Sequence, residues 1–322
     1  MTEKKQIRVG VGGVGHVGSL HAQVYSKLPN ARLVAVCDLN QARAKEVAAR
    51  FRCLATREAT QLLGAVDAVS VAVPTNAHEA VAAPLLEAGI HVLIEKPMAT
   101  TLAQADHLLA LARRRGVILQ VGHIERFNAA IQTAKAYLTH PRFIEVHRLS
   151  PYPFRGLDVS VVLDVMIHDL DLILSLVGSQ PVRVEAVGVA VLSPSEDIAN
   201  ARLTFASGCV ANLTASRISD ETIRRLRVFQ EDCYLSVDAR HQLVEIARLS
   251  APRSSGQAGK IGRTIRRRTL PVSPRPPLDE ELASFLKAVR AHRRPMVSGE
   301  EAREALALAL RIERAMRHGR RQ

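Results

Sequence analysis

The strongest constraint on this chain is a series of glycines at the end of its first apolar run. Ile7-Arg-Val-Gly-Val11 reads as a short strand, and Gly13-Val-Gly15-His-Val-Gly18 follows it and opens a helix-compatible stretch. A glycine at the first position permits a tight strand-to-helix turn. One at the second lets an anionic group approach the backbone, and one at the third lets the helix lie close against the strand. The helix start adds free amides and the positive end of its dipole, which suit a phosphate. Glycine clusters also serve as plain turns, so context decides. Here Asp38 closes a second strand, Arg32–Asp38, 20 residues beyond Gly18. The spacing predicts a dinucleotide site along Gly13, Val14, Gly15, His16, Val17 and Gly18. A carboxylate at Asp38 bonds the ribose hydroxyls and repels a 2′-phosphate, which favours NAD, while Arg43 nearby leaves NADP open.

The alternation continues with a helical run Gln41 to Phe51, then strand Asp67 to Val73. A helix Ala77 to Ala88 follows and stops at Gly89. Strand His91 to Glu95, helix Leu102 to Arg115 and strand Val117 to Val121 complete the series. Strands that alternate with helices predict a parallel sheet covered on both faces. After about residue 123 the pattern changes. One helical stretch, Val161 to Val177, precedes strands at Val182–Val191, Asn200–Phe205, Cys209–Ser216, Leu226–Gln230, Tyr234–Asp238 and Leu243–Leu249. Strands without intervening helices predict an antiparallel sheet. Residues 251–277 read as a loop or an irregular edge hairpin. Two helices close the chain, the last opening on Ser298-Gly-Glu-Glu301, a capping box.

Composition narrows the function classes. No apolar run approaches the ~20 residues that span a bilayer, so no membrane insertion is expected. Met1-Thr-Glu-Lys-Lys-Gln6 has no signal-peptide core, and the expected location is cytoplasmic. Cys37, Cys53, Cys209 and Cys233 contain no Cys-x-x-Cys pair, so reduced structural thiols are expected and no metal site. The formal charge of +13 includes seven basic and no acidic residues between Ala251 and Pro277. Such a charge attracts anions without choosing among them. That stretch has no aromatic residue and the chain no Trp, which argues for solvated loops and against a nucleic-acid partner.

Two further clusters carry chemistry. Pro74-Thr75-Asn76-Ala-His78 and Glu95-Lys96-Pro97 both follow parallel strands, where open sheets of this type bind ligands. Pro97 has a locked φ and fixes the backbone beyond Lys96. In Asp164-Val-Met-Ile-His168-Asp-Leu-Asp171, Asp164 and His168 share a helix face, so the carboxylate can orient or charge the imidazole. His168 would then suit proton transfer near neutral pH. From spacing alone, a histidine that merely supports the fold fits equally well.

Gly13-x-Gly15-x-x-Gly18-x-x-His21, Glu95-Lys96-Pro97, Gly122-His-Ile-Glu-Arg-Phe-Asn128 and Asp164-x-x-x-His168 together resemble the glucose–fructose oxidoreductase, inositol dehydrogenase and rhizopine-catabolism (Gfo/Idh/MocA) family. Pro295-Met-Val-Ser-Gly-Glu300 before the last helix fits the same pattern, and Ala129 departs from it where the family commonly has Pro. The resemblance implies an α/β fold, with a Rossmann doubly wound parallel sheet over 1–122. It implies an α+β domain over 123–322, with a large, mostly antiparallel sheet that serves substrate binding and oligomerisation. It implies NAD as cofactor, held also by Pro74, Thr75, Asn76, His78, Glu95, Lys96 and Pro97. Lys96, Asp164 and His168 are implied as catalytic residues, and with Arg126 and Asn128 as substrate contacts. A homodimer or homotetramer is expected.

Within the family, the Gly122–Asn128 and Leu163–Asp171 stretches resemble bacterial UDP-N-acetylglucosamine 3-dehydrogenases. That implies a UDP-linked sugar, oxidised at C3 between the domains. The 3-keto product would pass to a sugar aminotransferase making 3-amino sugars for lipid A or surface polysaccharide. Two alternatives stand beside this reading: a dehydrogenase of a free sugar or inositol, and a non-catalytic NAD-binding regulator.

Overall fold

In the computed structural model, which describes residues 6–152, 159–249 and 265–319, the glycine turn joins strand β1 (Ile7–Gly12) to helix α1 (His16–Tyr25). The alternation then runs β2 (Ala31–Cys37), α2 (Gln41–Phe51), β3 (Leu54–Thr56), β4 (Ala68–Val71), α3 (His78–Glu87), β5 (His91–Ile94), α4 (Leu102–Arg115) and β6 (Leu119–Val121). These strands pair in parallel in the order β3-β2-β1-β4-β5-β6. Every residue of β4 is buried, as are Val92, Leu93 and Ile94 of β5, which explains their unbroken apolar sequence. The order reverses between β1 and β4, and ligands of open sheets bind at the carboxyl ends beside such a reversal. Short β3 escapes the sequence reading because its three residues carry no burial period.

The second unit begins with α5 (Ala129–Lys135) and β7 (Phe143–Leu149). A wide π-helical turn, Val162–Met166, leads into α6 (Ile167–Val177). Strands β8 (Pro181–Val189), β9 (Ile198–Phe205), β10 (Val210–Ser216), β11 (Ile223–Phe229), β12 (Cys233–Asp238), β13 (Leu243–Leu249) and β14 (Ile265–Thr269) follow. Among the described residues they form one sheet, ordered β14-β13-β12-β11-β7-β10-β9-β8. Only the β7–β10 pair is parallel there. Ile144, Val146, Leu213, Val228 and Leu235 bury one face, while Glu145, His147, Asn212 and Arg227 lie on the other. β7 is hard to read from sequence because Arg148 occupies a buried position in its alternation. A bidentate pair with Asp169 of α6, at 2.9 and 2.7 Å, makes that burial tolerable. Of the 251–277 segment, residues 251–264 lie outside the described residues, and 265–269 form the exposed edge strand β14.

The closing helices are α7 (Pro277–Ala291) and α8 (Gly299–Gly319). The sequence reading runs the second domain unbroken from 123 to 322, whereas packing divides the chain differently. One unit comprises 1–126 with 276–307, and the other 127–275 with 308–322. The reason is the apolar face of α7. Leu282, Phe285, Leu286 and Val289 share one buried core with Val9, Val11, Ala22, Tyr25 and Val36. The capping box forms at the start of α8: the Ser298 amide donates to the Glu301 carboxylate at 3.1 Å, and the Glu301 amide to the Ser298 hydroxyl at 3.4 Å.

Candidate active site

Each glycine of the turn does a separate job. Gly13 has φ +81°, and a methyl group there would stand 2.7 Å from the Ala72 carbonyl oxygen. A methyl group on Gly18 would overlap the Gly13 carbonyl oxygen. Gly15 has open space within 4 Å of that position, and Gly15, His16 and Val17 are exposed at the start of α1. The first and third glycines therefore close the turn, and the second leaves a cradle that a side chain would fill. No side chain caps the α1 start, so its amides remain available to an anion.

Asp38 and Arg43 both grip this turn. The Val14 amide donates to Asp38 Oδ2 at 2.9 Å, and the Asn40 amide to Oδ1 at 2.8 Å. Arg43 Nε donates to the Val14 carbonyl at 3.0 Å and Nη2 to the Ser19 hydroxyl at 3.1 Å, while Nη1 reaches both Glu46 oxygens. Arg43, which kept a 2′-phosphate open in the sequence, thus has its own carboxylate partner. The cradle, the free amides and the carboxylate fit an NAD diphosphate and ribose.

At the end of β5, Glu95 and Lys96 lead into Pro97 through a cis peptide bond. The Glu95 carboxylate lies 3.1 Å from Nε2 of buried His21 on α1, and accepts from the Lys96 amide at 3.2 Å. Burial alone would push the Glu95 carboxyl up. The His21 contact and the Lys96 charge outweigh it and hold the group below its ordinary range. Gly122 makes room for this arrangement, since a methyl group there would press within 2.9 Å of the carboxylate. His21 and Gly122 appear in the sequence motifs without a role. Their pairing with Glu95 depends on α1, β5 and β6 meeting in space.

Of the loop after β4, Pro74 and Asn76 are exposed and Thr75 is half-buried in a 3₁₀ turn. His78, expected among the cofactor contacts, is buried. Its Nδ1 lies 2.9 Å from the Pro97 carbonyl and its Nε2 2.9 Å from the Val73 carbonyl. Burial lowers its pKa despite these carbonyls. This ring ties the loops after β4 and β5 together.

Arg126 is also buried, and donates to the Met296 carbonyl at 3.1 Å and Glu301 at 3.0 Å. Asn128 caps α5 by accepting from the Ala130 amide at 3.0 Å, and donates to the Ala239 carbonyl at 2.8 Å. Both side chains, expected as substrate contacts, hold backbone in place. In the second unit Asp164 sits in the wide turn and His168 is the second residue of α6, both half-buried. Among the described residues no cluster is arranged to hold a metal ion, and no helix is long and apolar enough to cross a membrane.

Comparison with known proteins places the fold in a family. Residues 7–123 match the model of the oxidoreductase family with an NAD-binding Rossmann fold, and residues 130–235 match the GFO/IDH/MocA C-terminal domain. The chain is 42% identical over 311 residues to a UDP-N-acetylglucosamine 3-dehydrogenase of Acidithiobacillus ferrooxidans, covering 96% of this chain and 97% of that one. A solved structure of that enzyme superposes with a TM-score of 0.88. A myo-inositol 2-dehydrogenase of Thermotoga maritima is 28% identical over 335 residues, covering 98% and 97%. A levoglucosan dehydrogenase in complex with NADH and levoglucosan shares the fold, with a TM-score of 0.85 at 18% identity. From the glycine cradle to the eight-stranded sheet, this chain belongs to the Gfo/Idh/MocA family of NAD-binding oxidoreductases.

Proposed function

We propose that the chain oxidises the C3 hydroxyl of UDP-N-acetylglucosamine to a ketone. The observation that carries this reading is 42% identity, over 96% of the chain, to an enzyme of that name. NAD, when bound, takes up the hydride from the carbon bearing the hydroxyl. Gly13 to Gly18 and Asp38 hold its diphosphate and ribose, with Pro74, Thr75, Asn76 and the Glu95–Pro97 loop beside them. Lys96 and His168 flank the reacting hydroxyl, one of them in its neutral form taking up its proton, and Asp164 orients the imidazole. Arg126, Asn128 and His78 act at one remove, by fixing the backbone around these groups. The chain's excess positive charge suits a substrate with a nucleoside diphosphate.

We place the enzyme in the cytoplasm as a homodimer or homotetramer. Its 3-keto product is a substrate for an aminotransferase on the way to 3-amino sugars of lipid A or surface polysaccharide. A second reading, a dehydrogenase of a free sugar or inositol, is favoured by the inositol dehydrogenases among the relatives. The test is reduced-nicotinamide absorbance with NAD and UDP-N-acetylglucosamine, with 2-oxoglutarate added separately to reoxidise any retained NADH. Reduction with this substrate, and none with free N-acetylglucosamine or myo-inositol, supports the first reading. Turnover of a free polyol alone overturns it in favour of the second.

A further inference from the structure

An ionic knot is built from residues given no chemical role above. Arg217, directly after β10, and Asp197, directly before β9, are both fully buried. Arg217 Nε donates to Asp197 Oδ1 at 3.0 Å, and Nη2 donates to the hydroxyls of Ser193 and Ser195 at 2.8 and 2.9 Å. Asp197 accepts from the amides of Val191, Leu192 and Ser193 at 2.8, 2.6 and 3.0 Å, and from the Ser193 hydroxyl at 2.6 Å. Burial pushes the Asp197 carboxyl up. The Ser193 hydroxyl and these amides outweigh it and hold the group well below the usual carboxylate range. The loop from β8 to β9 is thereby closed around an ion pair.

Stability alone is a poor reason for such a pair, because well-packed apolar side chains of similar volume serve as well or better. Fixed direction is what the ionic geometry adds. Two bonds leave the knot and land on the same short segment. Arg217 Nη1 donates to the Val159 carbonyl at 3.0 Å, and the Val161 amide donates to the Glu196 carbonyl at 3.2 Å. Between them, Ser160 receives the Leu163 amide on its hydroxyl at 3.3 Å and the Asp164 amide on its carbonyl at 2.9 Å. The path therefore runs from the knot, through 159–161, to the π turn that carries Asp164 and leads to His168. A π turn is an uncommon conformation that recurs at functional sites, and this one is anchored from outside at its start. At its other end, the Arg148–Asp169 pair fixes α6 one residue beyond His168.

We propose that Arg217, together with Asp197, is a positioning residue that sets where Asp164 and His168 stand without itself touching substrate. This rests on the roles proposed above for Asp164 and His168. The test uses the full chain with NAD and UDP-N-acetylglucosamine, and the paired variant Arg217→Met with Asp197→Asn. Both charges leave together there, and the Asn oxygen still accepts from the loop amides. Expected are a folded protein, NAD affinity as in the unaltered chain, a kcat lower by about 10–100-fold and a KM changed far less.

His168→Ala is measured alone and combined with the pair. If the knot acts through His168, the combined variant turns over no more slowly than His168→Ala alone. Additive losses, or an unaltered kcat in the folded paired variant, overturn the proposal. Unaltered turnover of His168→Ala is a separate failure, which removes His168 from the mechanism and the knot's purpose with it. Should the paired variant not fold, Ser193→Ala with Ser195→Ala keeps the ion pair and removes two acceptors of Arg217. A several-fold loss of kcat at constant KM is expected there, and an unaltered kcat overturns the proposal.

Discussion

The two units fix their functional groups by opposite means. In the first, the backbone does the work: three glycines shape a turn, and a helix start supplies the amides. Charged side chains at Asp38 and Arg43 brace that turn. In the second, the candidate groups sit on an irregular helical turn and the start of the helix that follows it, and buried ion pairs at Arg217–Asp197 and Arg148–Asp169 anchor the chain before and after it. A site made of backbone tolerates no added atoms. A site made of side chains tolerates volume changes but depends on its anchors. The contrast shows why one unit advertises itself in sequence and the other hides.

The sharpest way to break this comparison is Gly18→Ala. Its new methyl group has no space beside the Gly13 carbonyl, so a loss of roughly 3 kcal/mol, the upper range of overpacking, is expected with NAD binding abolished. Thermal melting and NAD titration measure both, and a stable, NAD-binding variant would refute the tight packing of α1 on the turn. Lys96→Ala should lower turnover by roughly 10²–10⁴ with the melting temperature nearly unchanged. Near-normal turnover would remove Lys96 from the mechanism. Gly15→Ala separates folding from binding. With open space around it, stability should move by no more than about 0.5 kcal/mol. NAD affinity should nevertheless fall about tenfold or more, as the methyl group enters the cradle. Equal effects on both would show that Gly15 serves the fold.

The smallest expected effect concerns acid. Burial lowers the pKa of His78 below its ordinary 6.5, so near that pH the unfolded chain binds a proton that the folded chain does not. Its contribution to stability is whole above about pH 6.5 and is lost as pH falls toward the folded value, at no more than about 1.4 kcal/mol per pH unit. His91 is lowered in the same direction by burial and by His292, so His78→Gln should reduce this slope without abolishing it. Glu95, held below its ordinary 4.5, loses its contribution only under more acidic conditions. Melting temperatures at about pH 7.5 and about pH 5.5 decide it. An unchanged slope in His78→Gln would mean that the ring binds protons equally well in the folded and unfolded chains.

Where the sequence was readable, local rules sufficed. The alternation of buried strands with capped helices specified the parallel sheet, and Gly13, Gly15 and Gly18 specified the turn. Where it was not, a residue answered to a distant partner. Arg148 broke the alternation of β7 because Asp169 receives it, and α5 was too short to carry a period. The motifs group His78, Arg126 and Asn128 with ligand contacts, and the structure also ties each of them to backbone carbonyls that no spacing rule reveals.

The sequence by itself determined that the chain begins with a dinucleotide-binding βαβ unit and continues into a largely antiparallel sheet. Both follow from periods and turn residues within a few positions of one another. Only the tertiary structure decided that 276–307 returns to the first unit, that His21 and Gly122 meet at Glu95, and that Arg217 bonds the Val159 carbonyl ahead of Asp164. The reason is physical. Burial and buried-charge pairing join residues far apart in the chain, so the preference of each for its partner leaves no local periodicity to read.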